Sequence, residues 1–432
     1  MAEAERLSAA DASNVVMDAR DQVNVYLLAG VLGAGGFVAS DAAVDLDVLR
    51  AKVSRRLADD PDGALRRFRQ RIGTDGGDYV WEACAPDFGW HIRLTDPVAG
   101  EAGLAELCGR LMTAPLQPDR PLWELLVVPG AGAYPGMVLR VHHAVADGVA
   151  VVQMVQHLLG QDPPPRPAAR PDGASRAQRK PSLRLSIVRV LSILRRAVPP
   201  TVLLGPIGPH RGIGLVSTEL AAVAAGARTA EATLNDAFLA AVGPAVEAVL
   251  AAAGQPILPT VPVSVPVALP DRGSSGNAVG VMLVRLRTGQ PDVTARLRTI
   301  AALTTAGKAE ARAQGTFELT RSRWAATLYA WLARRQRLIA VFVTNVRGPA
   351  EKLTLAGAPI ERAWPVVPIQ GNVRFGVAAF SYAGRLNCCV HVDADHLDAQ
   401  VAATTLGEEF NRIARLGTEP AGFGQAHPGR IT

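Results

Sequence analysis

The sequence predicts a mixed α/β protein built from two halves of comparable size. Hydrophobic residues make up 49% of the 432 residues and charged residues 19%, enough apolar side chain for two cores of roughly 200 residues each. Strand-like and helix-like runs intermix in both halves, without the regular alternation of a single doubly wound sheet. Between the halves, Asp162–Pro200 opens on a stretch dense in proline, arginine and alanine that cannot build a core. The expected division is residues 1–161, a crossover at 162–200, and residues 201–432.

The elements follow from periodicity. Val23–Leu28 reads as a strand and Leu46–Leu57 as a helix with arginine and lysine on its outer face. Val80–Trp90 is mixed, Leu104–Met112 helical, Leu122–Val128 and Met137–His143 strands, and Val149–Leu159 a helix. In the crossover, Leu183, Ile187, Val190, Leu191 and Leu194 recur at helical spacing among Arg184, Arg189, Arg195 and Arg196, and Pro199 ends the run. This basic amphipathic helix either lies on a lipid surface or packs its apolar side on the protein.

The second half opens with a helix at Asn235–Ala253. Thr233 to Asp236 at its start looks like a capping box with Asp in place of Glu. Strands at Val261–Val267 and Gly280–Leu286 follow, then helices at Val293–Gln314 and Thr320–Arg337. Strands at Ala340–Asn345 and Val373–His391 and a helix at Val401–Arg415 complete the reading. No fixed-period repeat is visible.

Composition excludes several classes. Lys+Arg 45 against Asp+Glu 39 gives a net charge of +6, too small an excess to argue for nucleic acid. Aromatic residues at 5% are too sparse for base-stacking platforms. Cys84, Cys108, Cys388 and Cys389 have no metal-ligand spacing, so no metal is expected, and inert packing in a reducing cytoplasm is the natural reading. The first residues lack a charged-then-apolar signal pattern. The least polar stretches, Leu125–Leu139 and Ala237–Ala253, are interrupted by glycine and proline, so no spanning helix is expected.

Chemistry concentrates at the end of the strand Met137–His143, where the chain runs His142, His143, three residues, Asp147, Gly148. Strand alternation points the two imidazoles to opposite faces, so they cannot share a metal or one proton. One is left for chemistry and the other for packing. Asp147 in the turn can fix the loop, and Gly148 lets the backbone bend into the following helix. A rigidly held neutral histidine is what a general base near pH 7 requires.

This His-His-x-x-x-Asp-Gly stretch resembles the active-site motif of the chloramphenicol acetyltransferase-like superfamily. Further segments resemble, in order, bacterial wax ester synthase/acyl-CoA:diacylglycerol acyltransferases. They are Leu7–Asp11, Pro121–Glu124, Leu234–Asp236, Val263–Val265, Gly276–Asn277, Thr344–Pro349 and Ser381–Leu386. The likeness runs from Leu7 to about Ile413. It implies two chloramphenicol acetyltransferase-like subdomains, each a mixed sheet with flanking helices, and an active-site channel between them.

It also implies acyl transfer from a CoA thioester to an alcohol or diacylglycerol hydroxyl in a ternary complex, with acyl-CoA a co-substrate and no bound cofactor. His143 is the implied base, with His142 and Asp147 completing the catalytic motif as supports. Gly148, Trp123, Asn277, Thr344 and Asn345 are the candidate substrate contacts, although Trp123 on an apolar strand also reads as core and Asn345 as a strand end. Contact with a membrane or lipid-droplet surface rests on the basic helix alone. A secondary-metabolite hydroxyl or amine as acceptor, and a non-catalytic acyl- or CoA-binding module, are the alternatives.

Three positions depart from the family pattern: Pro266 where an arginine is usual, Arg347 where a proline is usual, and Val23-Asn24-Val25 in place of Met-His-Val. Without the arginine, Asp147 needs another partner, for which Arg140 and Arg272 are the candidates.

Overall fold

The computed structural model describes residues 5–18, 22–59, 61–145, 148–160, 198–268, 279–314 and 331–418. The strands are β1 (Glu5–Arg6), β2 (Val25–Leu32), β3 (Gln70–Asp75), β4 (Asp78–Ala83), β5 (Ile92–Leu94), β6 (Trp123–Val128), β7 (Gly136–His142) and β8 (Arg211–Glu219). They continue as β9 (Thr260–Ala268), β10 (Val279–Arg287), β11 (Val341–Arg347), β12 (Thr354–Leu355), β13 (Ala358–Val366), β14 (Phe375–Tyr382) and β15 (Arg385–Asp393). The helices are α1 (Ala9–Met17), α2 (Leu46–Asp59), α3 (Phe88–His91), α4 (Gly100–Leu111) and α5 (Gly148–Leu159). The second half adds α6 (Leu220–Arg228), α7 (Leu234–Ala252), α8 (Val293–Gln314) and α9 (Ala399–Leu416).

Among the described residues, two six-stranded sheets carry the fold, in the orders β12-β13-β2-β7-β6-β5 and β10-β9-β11-β14-β15-β8, with a small sheet β1-β4-β3 beside them. Both large sheets are mixed. In the first, β5 runs parallel to β6 while β2, β7 and β6 pair antiparallel. In the second, β11 is parallel to both β9 and β14. The expected class, two mixed sheets with helices, is the one observed.

The expected boundary needs a correction. β12 and β13 come from the second half of the chain, yet β13 pairs antiparallel with β2 and so completes the first sheet. Pro359 and Pro365 at its ends and the charged Glu361 and Arg362 in its middle hide it from a pattern reading. The crossing ties the halves together. Trp364 Nε1 donates to Val216 O at 3.0 Å, and the Tyr382 hydroxyl donates to Ile360 O and accepts from Leu353 N, both at 2.8 Å.

Two other strands differ from expectation. Val373–His391 is a hairpin, β14 and β15, turned through Ala383 and Gly384 at φ 46° and 78°. A two-residue turn with both φ positive preserves the alternation on either side, so hydrophobic period alone reads straight through it. β8 lacks a clear alternation because Gly214 replaces a side chain; a Cβ there would stand 2.6 Å from Ala403 Cβ, where α9 crosses the sheet.

The N-termini are chemically signed. Ser8 Oγ caps α1 by accepting from Asp11 N at 3.1 Å. Thr233 and Asp236 form the reciprocal capping box of α7, and Asp236 also accepts from Thr304 Oγ1 at 2.6 Å. The motif Leu234–Asp236 is thus accounted for by helix initiation. α7 is the one helix among the described residues long and apolar enough to cross a membrane, and 67% of its 18-residue apolar stretch is buried inside the protein. The basic helix of the crossover and the helix expected at Thr320–Arg337 lie outside the described residues, apart from the last residues of the latter.

Candidate active site

β7 is buried along its whole length between β2 and β6. Its alternation sends Arg140 and His142 to one face, and each holds several partners there. Arg140 stands directly opposite Glu124 on β6, its Nη1 donating to Glu124 Oε2 at 2.6 Å, and its Nη2 donates to Leu111 O and Ala114 O. Arg140 is therefore the anchor of Glu124 and of the end of α4, which argues against it as the support for Asp147. Arg272, the other candidate, lies outside the described residues.

His142 clamps three segments. Its Nδ1 accepts from Ala144 N at 3.0 Å, so the neutral ring carries its proton on Nε2 and donates to Asp18 Oδ2 at 2.9 Å. Asp18 Oδ1 in turn accepts from Asn24 N at 2.6 Å. The end of α1, the start of β2 and the turn after β7 are held by this one imidazole. Both nitrogens of His142 are thus engaged within the protein.

His143 sits one residue beyond the strand and faces the other way. Its backbone N–H donates to Asn24 O at 2.9 Å. Register pairs Tyr26 with Val141, so Tyr26 stands diagonally across from His143 on the same face. Their rings lie 4.2 Å apart, tilted by 33°, and the Tyr26 hydroxyl is in hydrogen-bonding contact with His143 Nε2. His143 Nδ1 is shielded from solvent, with no hydrogen-bond partner among the described residues. His143 as a whole keeps some exposed surface, as does Tyr26, so the pair is not sealed in the interior.

Burial pushes the His143 imidazole down from its ordinary 6.5 to about 4. The ring is neutral throughout the physiological range, as a base must be. If His143 acts as base, it is in working form above about pH 4, so the acid limb of kcat/KM is expected near pH 4 and not near 6.5. A pH–rate profile in buffers that keep the chain folded checks this; a limb at 6.5 would mean that the group being titrated is exposed.

The pair lies at the seam between the halves. Gln370 Nε2 donates to Asn24 Oδ1, while Gln22 and Gly371 exchange two hydrogen bonds of 2.8 and 2.9 Å. Asn24, a departure from the family pattern, thus bridges the His143 backbone, Asn14 and the loop before β14.

The other candidates divide. Gly148 begins α5 as expected. Trp123 is a correction: it is fully buried, stacked on Phe68 at 4.6 Å, with Nε1 donating to Phe68 O at 3.0 Å, so it packs the first core. Thr344 pairs with Ala378 and shares the face of β11 turned toward the first sheet. Asn345 points to the opposite face and donates from Nδ2 to Asn235 Oδ1 at 3.2 Å, linking β11 to the start of α7. Asp147 and Asn277 lie outside the described residues. Tyr26, Asp18 and Gln370 were not legible as site residues, because only the pairing of β2 with β7 and the approach of the second half bring them in.

Comparison with known proteins assigns the chain. The wax ester synthase/diacylglycerol acyltransferase catalytic domain matches residues 7–198, and the C-terminal domain of the same family matches residues 275–414. The chain belongs to this wax ester synthase/diacylglycerol acyltransferase family. A protein of Mycobacterium tuberculosis strain H37Rv, provisionally named a diacylglycerol O-acyltransferase, is 29% identical over 392 residues, covering 79% of this chain and 82% of its own. The wax ester synthase/diacylglycerol acyltransferase of Marinobacter aquaeolei VT8 shares the fold at a TM-score of 0.70 and 20% identity, over 96% of this chain and 100% of its own. The first condensation domain of the CDA synthetase shares it at a TM-score of 0.61 and 15% identity, over 98% of each chain. The wax ester synthase family thus sits within the wider fold that the histidine motif pointed to.

Proposed function

We propose that the chain transfers a fatty acyl group from acyl-CoA to the hydroxyl of an alcohol or a diacylglycerol, with His143 as general base. The observation that carries this reading is an imidazole kept neutral by burial, in the family's histidine motif, at the seam of the two halves. The acceptor hydroxyl gives up its proton toward His143 Nε2 while its oxygen attacks the thioester carbonyl. The C–S bond breaks and the proton returns to the CoA thiolate. General-base action of this kind contributes about 10²- to 10⁴-fold, and the remaining acceleration comes from aligning two substrates that enter from either side of the seam.

A covalent acyl-enzyme finds no support. Burial raises the thiols of Cys108, Cys388 and Cys389 well above their ordinary value, Cys108 to about 12, so none is a thiolate nucleophile. We place the subdomain boundary by sheet membership, with β12 and β13 counted in the first subdomain. His142 holds the turn that carries the base, Asp147 is the motif's further candidate support, and Thr344 is the candidate contact from the second sheet.

The test is an acceptor panel with palmitoyl-CoA, comparing hexadecanol, diacylglycerol and a polar polyol. Thiol release is followed colorimetrically and the ester identified by mass spectrometry. Ester formation on hexadecanol or diacylglycerol is expected. Release no faster than without acceptor, across the whole panel, would refute the reading.

A further inference from the structure

We infer that Tyr26 is the proton relay of this site: His143 exchanges its proton with substrate through the Tyr26 hydroxyl. The inference rests on the functional reading above and extends it to a residue outside the histidine motif.

The two ring nitrogens of His143 are not equivalent. Nδ1 is shielded and has no hydrogen-bond partner among the described residues, while the residue's own backbone favours a proton on the ring. That arrangement fits a ring protonated on Nδ1, with the lone pair on Nε2. The Tyr26 hydroxyl occupies the Nε2 side, and the two ring centroids lie 4.2 Å apart with the planes tilted by 33°. Among the described residues, the phenol is the group that meets Nε2, which sets it between that nitrogen and a proton arriving from the seam.

The tyrosine is also firmly placed. β2 is an interior strand, paired with β13 on one side and β7 on the other. Val25 and Leu27, its neighbours on the opposite face, are buried in the first core at 0% and 2% exposure. Tyr26 itself keeps exposed surface beside His143, so a substrate at the seam meets the phenol and the imidazole together. A phenol is also suited to pass a proton on, since its oxygen both donates and accepts.

The step balances without any further reactant. As the acceptor oxygen forms its bond to the thioester carbon, its proton moves to Tyr26 Oη and the Tyr26 proton moves to His143 Nε2. When the C–S bond breaks, the Nε2 proton returns to Tyr26 Oη and the phenolic proton passes to the CoA thiolate. Tyr26 ends as it began, and the products are the ester and CoA thiol.

Tyr26→Phe keeps the ring and removes the relay. Single-turnover transfer from palmitoyl-CoA is expected to fall about 10²-fold, with the acceptor KM unchanged. The solvent proton inventory is expected to change from curved, with two protons in motion, to linear. The 15N shift of His143 Nε2, read by NMR without any turnover, is expected to move as it loses the phenolic proton. A fall smaller than about tenfold, a lowered acceptor KM, a linear inventory in the unsubstituted protein, or an unmoved Nε2 shift each overturns the relay. A lowered KM would mean that Tyr26 merely occupies the acceptor position. If the unsubstituted protein forms no ester at all, the functional reading fails and the relay with it. If it is active, His143→Ala is dead and Tyr26→Phe is unimpaired, only the relay fails.

Discussion

Replacing His143 with alanine is expected to lower acyl transfer by about 10²- to 10⁴-fold while leaving the melting temperature near that of the unsubstituted protein. The two halves of this result have separate causes. The rate falls because the imidazole beside Tyr26 is gone; His142 cannot replace it, since its nitrogens are spent on Asp18 and Ala144. Stability holds because the bond from His143 N to Asn24 O belongs to the backbone and survives the substitution. Among the described residues the imidazole also carries a shielded nitrogen without a partner, so its removal adds no new unsatisfied group there.

The same variant carries a pH signature. In the unfolded chain the ring titrates near 6.5, in the folded chain near 4, so between those values the unfolded state binds more protons. The folded protein therefore loses stability as pH falls through that window, and above 6.5 this group contributes no pH dependence. The alanine variant lacks the term and is expected to melt relatively higher at pH 5 than at pH 7.5, compared with the unsubstituted protein. Paired thermal melts at the two pH values, alongside thiol-release assays, check both halves. Turnover close to the unsubstituted protein would refute His143 as the base.

Where the evidence for an element is local, it was legible in the sequence. α8 was read with both of its ends, and β7 and α5 to within a residue, because apolar period and capping chemistry act over one or two turns. The histidine motif belongs to this class: strand, turn and helix start are contiguous, so opposite directions for the two imidazoles follow from alternation alone. β13 is the opposite case. Nothing in Ala358–Val366 says that its partner is β2, more than three hundred residues earlier. Tyr26 and Gln370 reach the site through that kind of long-range pairing, 117 and 346 residues from the groups they contact. Trp123 shows a third situation. Its strand was read correctly, but an indole on a buried strand serves packing or substrate equally well in one dimension, and only Phe68 and His91 closing on both sides decide for packing.

Arg140→Met is expected to cost about 3–5 kcal/mol, a large part of the 5–15 kcal/mol that holds a domain folded. Arg140 and Glu124 are only 3% and 4% exposed as side chains, opposite one another on adjacent strands at 2.6 Å. Methionine fills the space but leaves a buried carboxylate, with Arg93 Nη2 at 3.2 Å as its remaining cation, and strips a donor from Leu111 O and Ala114 O. The retained Arg93 places the expected loss toward the lower end of the range. The double variant Arg140→Met with Glu124→Met removes the stranded charge as well, so it is expected to be more stable than Arg140→Met alone. Urea unfolding of both single variants and the double gives the coupling directly. A double variant as unstable as the sum of the singles would shift the weight from the charge pair to the two carbonyls at the end of α4. Because His142 is the next residue on the same face of β7, a destabilised Arg140 variant that still turns over below its melting point would show that Asp18 and Ala144 alone suffice to hold the motif in place.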